Sequence, residues 1–108
     1  MTQLAFIFDE ALEESKAHAR YRKFHEANPH VIETLSVLAL RLKDRGHKHY
    51  GMQALFEVLR YETAMRTNDP SSQFKLNNDY AAFYARDVMR RYPELEGFFS
   101  IRRSVADE

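Results

Sequence analysis

The side chains in this chain that could do chemistry are its histidines, a few spaced glutamates, and a block of Asn, Tyr and Arg in the last third. There are five histidines. His47 and His49 alternate, so on a strand both would face one side, and His18 and His25, seven apart, share one face of a helix. A zinc site needs three or four converging ligands. No HExxH spacing occurs and neither pair has a third ligand nearby, so exposed polar histidines and no metal are expected. Glu57 and Glu62, five apart on a helix, diverge by about 140°, a poor geometry for a carboxylate pair. Glu10 and Glu14 share a face, but in an acidic arm. The chain has no Gly-rich phosphate loop, no GxSxG elbow and no Cys. Neither an enzyme nor a cofactor is expected. Glu57 and Arg60, at i and i+3, should form a structural ion pair.

The remaining block points to nucleic acid. Asn77, Asn78 and Tyr80 stand at the start of a helical pattern, and Asn can pair adenine through two hydrogen bonds. Lys75, Arg86, Arg90 and Arg91 could hold the phosphate backbone, with Arg102 and Arg103 on a following wing. The plain structural alternative makes Asn77 or Asn78 an ordinary helix cap and the arginines a solvated face.

The elements that must position these residues follow from composition and periodicity. With 108 residues, 44% hydrophobic, the chain has the size of one domain with a core, and eight Phe and six Tyr should supply its rings. Three Gly and three Pro are too few for a meander of short strands. A mainly α domain of four helices is expected. Absence of Cys excludes a disulfide framework. No apolar run approaches the roughly 18 residues of a membrane span, and the N-terminus lacks a basic flank, so a cytoplasmic protein without membrane contact is expected. Net charge is zero but unevenly distributed. Residues 1–15 hold four acids and no base, whereas residues 16–66 carry ten Lys or Arg against five acids.

Residues 1–27 read as an acidic-to-basic helical arm with Leu4, Ile7, Phe8, Ala11 and Leu12 at helical spacing. This arm packs either on its own domain or on a second copy, as a homodimer. Residues 28–103 form a compact helical domain and 104–108 a frayed acidic tail. Asn28-Pro29 should start a helix, with Asn as its cap, and Gly46 should stop it in a left-handed conformation. His47 to Tyr50 reads as a turn or one short strand. Met52, Leu55, Phe56, Val58, Leu59 and Met65 mark a second domain helix, residues 67–72 a loop, and 78–92 a third helix ended by Pro93. This order matches a winged helix-turn-helix, with 29–45 as first helix, 52–66 as second and 78–92 as the recognition helix in the major groove. The long loop and the short segment after Phe98 depart from that pattern.

Several residues together carry a resemblance. They are Phe24-His25 with Asn28-Pro29-His30-Val31, then Gly51 to Arg60, then Lys75-Leu76-Asn77-Asn78-Asp79-Tyr80 running to Tyr84-Ala85-Arg86, with Pro93, Leu95, Phe98, Phe99 and Arg102 behind. This string, over about residues 24–103, resembles a family of small, uncharacterised helical proteins of bacteriophages, prophages and bacterial genomes. The resemblance implies a phage or mobile-element setting, where small helical proteins often bind DNA or a host protein. Double-stranded DNA is thus the leading expected partner, met inside the host cell. The alternative is a protein-binding accessory factor, such as an inhibitor of a host defence or regulatory factor. DNA binding requires Lys75, Arg86, Arg90 and Arg102 or Arg103 to share a surface with Asn78. Protein binding requires an exposed apolar patch, expected around Ile7, Phe8 and Phe24.

Overall fold

A computed structural model describes residues 2–68 and 75–101, with side chains from Asp9 onward. Four helices account for most of it: α1 (Thr2–Ala27), α2 (Pro29–Asp44), α3 (Met52–Arg66) and α4 (Ala81–Arg91). Short 3₁₀ turns at Asn78–Tyr80 and Pro93–Leu95 bracket α4. The expected mainly α domain of four helices is what forms.

The junction between α1 and α2 is a single residue, and it works differently from the expectation. Pro29 opens α2 as its first residue. Asn28, however, does not cap it. Its side-chain amide turns back and donates to the Phe24 carbonyl at 3.0 Å, and its backbone N–H donates to the same oxygen at 2.9 Å. Asn28 therefore closes the end of α1 instead of capping α2.

At the other end of α2, Gly46 sits at φ +99°. The Gly46 N–H meets the Lys43 carbonyl at 2.9 Å and the His47 N–H meets the Leu42 carbonyl at 3.1 Å, which is the Schellman pattern. The connector that follows makes no strand, and no strand occurs among the described residues. Tyr50 reaches the C-terminal segment with one backbone bond to the Phe98 carbonyl at 3.2 Å. A lone bond of this kind, with no extended partner, cannot propagate a ladder. Lys43 donates to the Glu94 carbonyl beside it, so the connector and the terminal segment clasp each other.

The core lies where α2, α3 and α4 meet. Val31, Ile32 and Leu35 of α2 face Leu55 and Phe56 of α3, with Tyr84 and Val88 of α4 in the same buried cluster. Leu95, Phe98 and Phe99 close its end after the Pro93 turn. The C-terminal half of α1 joins this core through Tyr21, which is 2% exposed. The Tyr21 ring stacks on Phe83 at 5.2 Å and meets the edge of Tyr84 at 4.8 Å. Such aromatic contacts add about 0.5–1.5 kcal/mol beyond the area they bury. Leu12 stands nine residues before Tyr21, two and a half turns of helix, so it points the opposite way and stays 52% exposed.

Candidate functional site

The residues expected to read DNA separate into three groups. Asn77 is a cap: its side-chain oxygen accepts from the Asp79 N–H at 2.9 Å. Asn78 is turned towards α3, where its side-chain oxygen accepts from the Arg60 guanidinium at 2.7 Å. Arg60 donates also to the Leu76 carbonyl and to Glu57, and lies 5.8 Å over the Phe56 ring. The expected Glu57–Arg60 ion pair forms, and it extends into a brace that ties α3 to the segment before α4. Tyr80, expected to face the groove of a duplex, lies in the core at 9% exposure between the Tyr21 and Phe24 rings. Its ring is apolar enough to complete the cluster that anchors α1. The expected helix over 78–92 is thereby split, with a 3₁₀ turn carrying Asn78 to Tyr80 and the α-helix starting at Ala81.

Arg86 and Arg90 form the second group, one turn apart on α4. They line a groove of about 320 Å³ against α1, where Glu14, His18 and Asp87 are the other polar walls. Arg90 pairs with Asp87 at 2.7 Å, and Arg86 lies 5.7 Å over the Phe83 ring. Asn78 is twelve residues from Arg90, roughly 18 Å along a helix axis. Lys75 and Arg91 are exposed. Arg102 and Arg103 lie outside the described residues, as do residues 69–74 of the long loop.

Three of the five histidines pair with rings, His49 reaches the Gly97 carbonyl at 3.2 Å, and His25, expected to be exposed, is half-buried. His18 stacks on Phe83 at 5.0 Å and His25 on Tyr21 at 5.8 Å, while His47 meets the edge of Tyr50 at 5.9 Å. Burial pushes the Tyr21 phenol far above its ordinary value, and the hydrogen bond to Asp87 adds to that. Tyr84 is raised as well, first by burial and then by the neighbouring Tyr80. The Tyr84 hydroxyl is enclosed and has no partner among the described residues.

The most exposed apolar side chains lie elsewhere. Val58 and Met65, counted with Met52, Leu55, Phe56 and Leu59 in the spacing that marks this helix, are 42% and 67% exposed. The turns of α3 explain this. Met52, Leu55, Phe56 and Leu59 already fill the side that faces α2 and α4, whereas Val58, Tyr61 and Met65 repeat at i, i+3 and i+7 on the opposite side. Val37 of α2 is exposed as well and lines the same groove as Val58. Between α2 and α3 runs a groove of about 380 Å³ whose floor includes Leu38 and Leu59 and whose rim holds His30, Arg41, Glu62 and Arg66. Arg41 and Arg66 form no ion pair with another described residue.

Of the apolar patch expected around Ile7, Phe8 and Phe24, only Phe24 has a described side chain. Phe24 is half-buried against Tyr80, 5.3 Å between ring centres, and the side chains of Ile7 and Phe8 lie outside the described residues. No family model matches this chain, and no curated protein and no solved structure matches it either.

Proposed function

We propose that this domain is a non-enzymatic protein-binding module whose α2–α3 face receives an amphipathic helix with acidic flanks. The observation that carries this is the pair Val37 and Val58, both exposed on a groove whose floor includes Leu38 and Leu59 and whose rim holds Arg41 and Arg66. Helix-in-groove recognition uses apolar anchors of this kind with charged residues beside them. Contiguous exposed apolar side chains of this size cost a soluble domain free energy unless they are covered. Duplex DNA has less to hold. Asn77 and Asn78 are occupied internally, Tyr80 is in the core, and Arg90 stands beside the Asp87 carboxylate. The resemblance to phage and prophage proteins fits an accessory role of this kind, such as inhibition of a host regulatory factor.

Gel filtration of the tagged full chain in a cell extract tests the proposal. The unaltered chain is expected to elute in a species larger than its 12.8 kDa monomer, and Val58→Asp to elute as the monomer. Arg90→Ala should leave the elution unchanged. A monomeric elution of the unaltered chain, or a complex indifferent to Val58→Asp, would overturn it.

A further inference from the structure

We infer that the helix received by the α2–α3 groove is the N-terminal half of α1 from a second copy of this chain. This rests on the groove being a helix-binding face, and it adds the identity of the occupant. Charge complementarity is the first support. Residues 1–15 carry four acids with no Lys or Arg; Glu13 pairs with Lys16 and Glu14 lies on the α4 side, which leaves the exposed Asp9 and Glu10, and the groove rim carries Arg41 and Arg66 against Glu62.

Length is the second. The groove runs from His30 to Arg41 along α2, about 16 Å at 1.5 Å per residue, which is the length of roughly three helical turns. The arm before Glu13 is about three turns long. Its sequence holds Leu4, Phe8 and Leu12 at steps of four, the spacing of anchors on one helix face. Leu12 is already exposed and faces away from the Tyr21 seam.

The arm cannot fill the groove of its own domain. α1 is continuous from Thr2 to Ala27, and its Ala11, Glu14 and His18 lie along α4 beside Phe83 and Arg86. Leu12 is thereby held about 22 Å along the axis from Ala27, where the chain turns into α2. The groove side of α3 is open only to another molecule. Reciprocal exchange, each arm in the other copy's groove, gives a closed two-fold pair with two identical contacts.

Sedimentation velocity of the purified full chain, from about 10 to 500 µM, reads this directly because the mass of a reversible pair depends on concentration. The mass is expected to rise from 12.8 kDa towards twice that value. Leu12→Asp in the arm and Val58→Asp in the groove should each weaken association at least about tenfold. Both positions are exposed, so at concentrations where the unaltered chain is monomeric the melting curves should match, and Val37→Asp serves as a second groove variant. Mixing the arm variant with the groove variant should restore part of the association, since one intact arm then meets one intact groove. Raising salt should weaken the pair.

A monomer at all concentrations, or a pair that survives Leu12→Asp, would overturn the inference. If the purified chain stays monomeric while the extract species still collapses with Val58→Asp, the groove remains a docking face. Its occupant is then a different protein, and this inference alone falls.

Discussion

The Tyr21 hydroxyl donates to the Asp87 carboxylate across 66 residues of sequence, and this bond pins α1 onto α4. Asp87 also receives Arg90, so one carboxylate serves a buried phenol and an exposed guanidinium together. Tyr21→Phe keeps the ring and removes the donor. Urea unfolding should then show a loss of about 1 kcal/mol, the net worth of a typical hydrogen bond. Tyr21→Ala removes the ring as well and should cost about 3–5 kcal/mol. Equal losses for the two variants would show that the ring contributes nothing beyond its hydroxyl.

Alkali should unfold this domain through its tyrosines. Tyr21 and Tyr84 both have folded values raised above the ordinary phenol value, so the folded state keeps protons that the unfolded state releases. Their contribution is complete below about pH 10, the ordinary tyrosine value, and declines as pH rises beyond it. Each retained proton corresponds to a slope of about 1.4 kcal/mol per pH unit. Tyr84→Phe should reduce that slope by one proton. At neutral pH the same change should stabilise the fold by about 1 kcal/mol, because it deletes an enclosed hydroxyl without a partner. Stability curves against pH check both, and a destabilised Tyr84→Phe at pH 7 would contradict the account.

Arg60 braces α3 to the segment before α4 through the Leu76 carbonyl and Asn78. Lysine keeps the charge but not the planar fork that serves two acceptors and lies over Phe56. Arg60→Lys should therefore lose about 1.5–3 kcal/mol by chemical denaturation, in the range of hydrogen bonds to charged groups. A lysine variant as stable as the parent would reduce Arg60 to a surface ion pair with Glu57.

The two apolar stripes of α3 should respond oppositely to change. Leu55→Ala, on the buried side, should cost about 2–5 kcal/mol. Met65→Asp, on the exposed side, should change the stability of the monomer by no more than about 0.5 kcal/mol. A large loss at Met65 would place that side chain in the core.

The helices and most of the core were legible because period and punctuation agree in this sequence. Gly46 ends α2 as its position before a polar connector required, and Tyr84 and Val88 fall on the buried side of α4. Val58 and Met65 were not separable from Leu55 and Leu59, since all four are apolar and α3 is apolar on two sides. Which side is covered depends on where α2 and α4 lie, and local spacing does not encode that. Tyr80 read two ways in the sequence, as part of the apolar face with Tyr84 and Val88 and as a polar reader beside two asparagines, and the Tyr21 and Phe24 rings arriving from α1 enclose it. Asn28 shows the converse, a correct boundary reached through a side chain that bonds backwards.

The most direct test places a photo-crosslinking residue at position 37 on the α2 side of the groove, and separately at position 90 on α4, in the full chain in cells. The account predicts a defined protein adduct from position 37 that disappears with Val58→Asp, and none from position 90. A DNA adduct from position 90 together with no protein adduct from position 37 would contradict it.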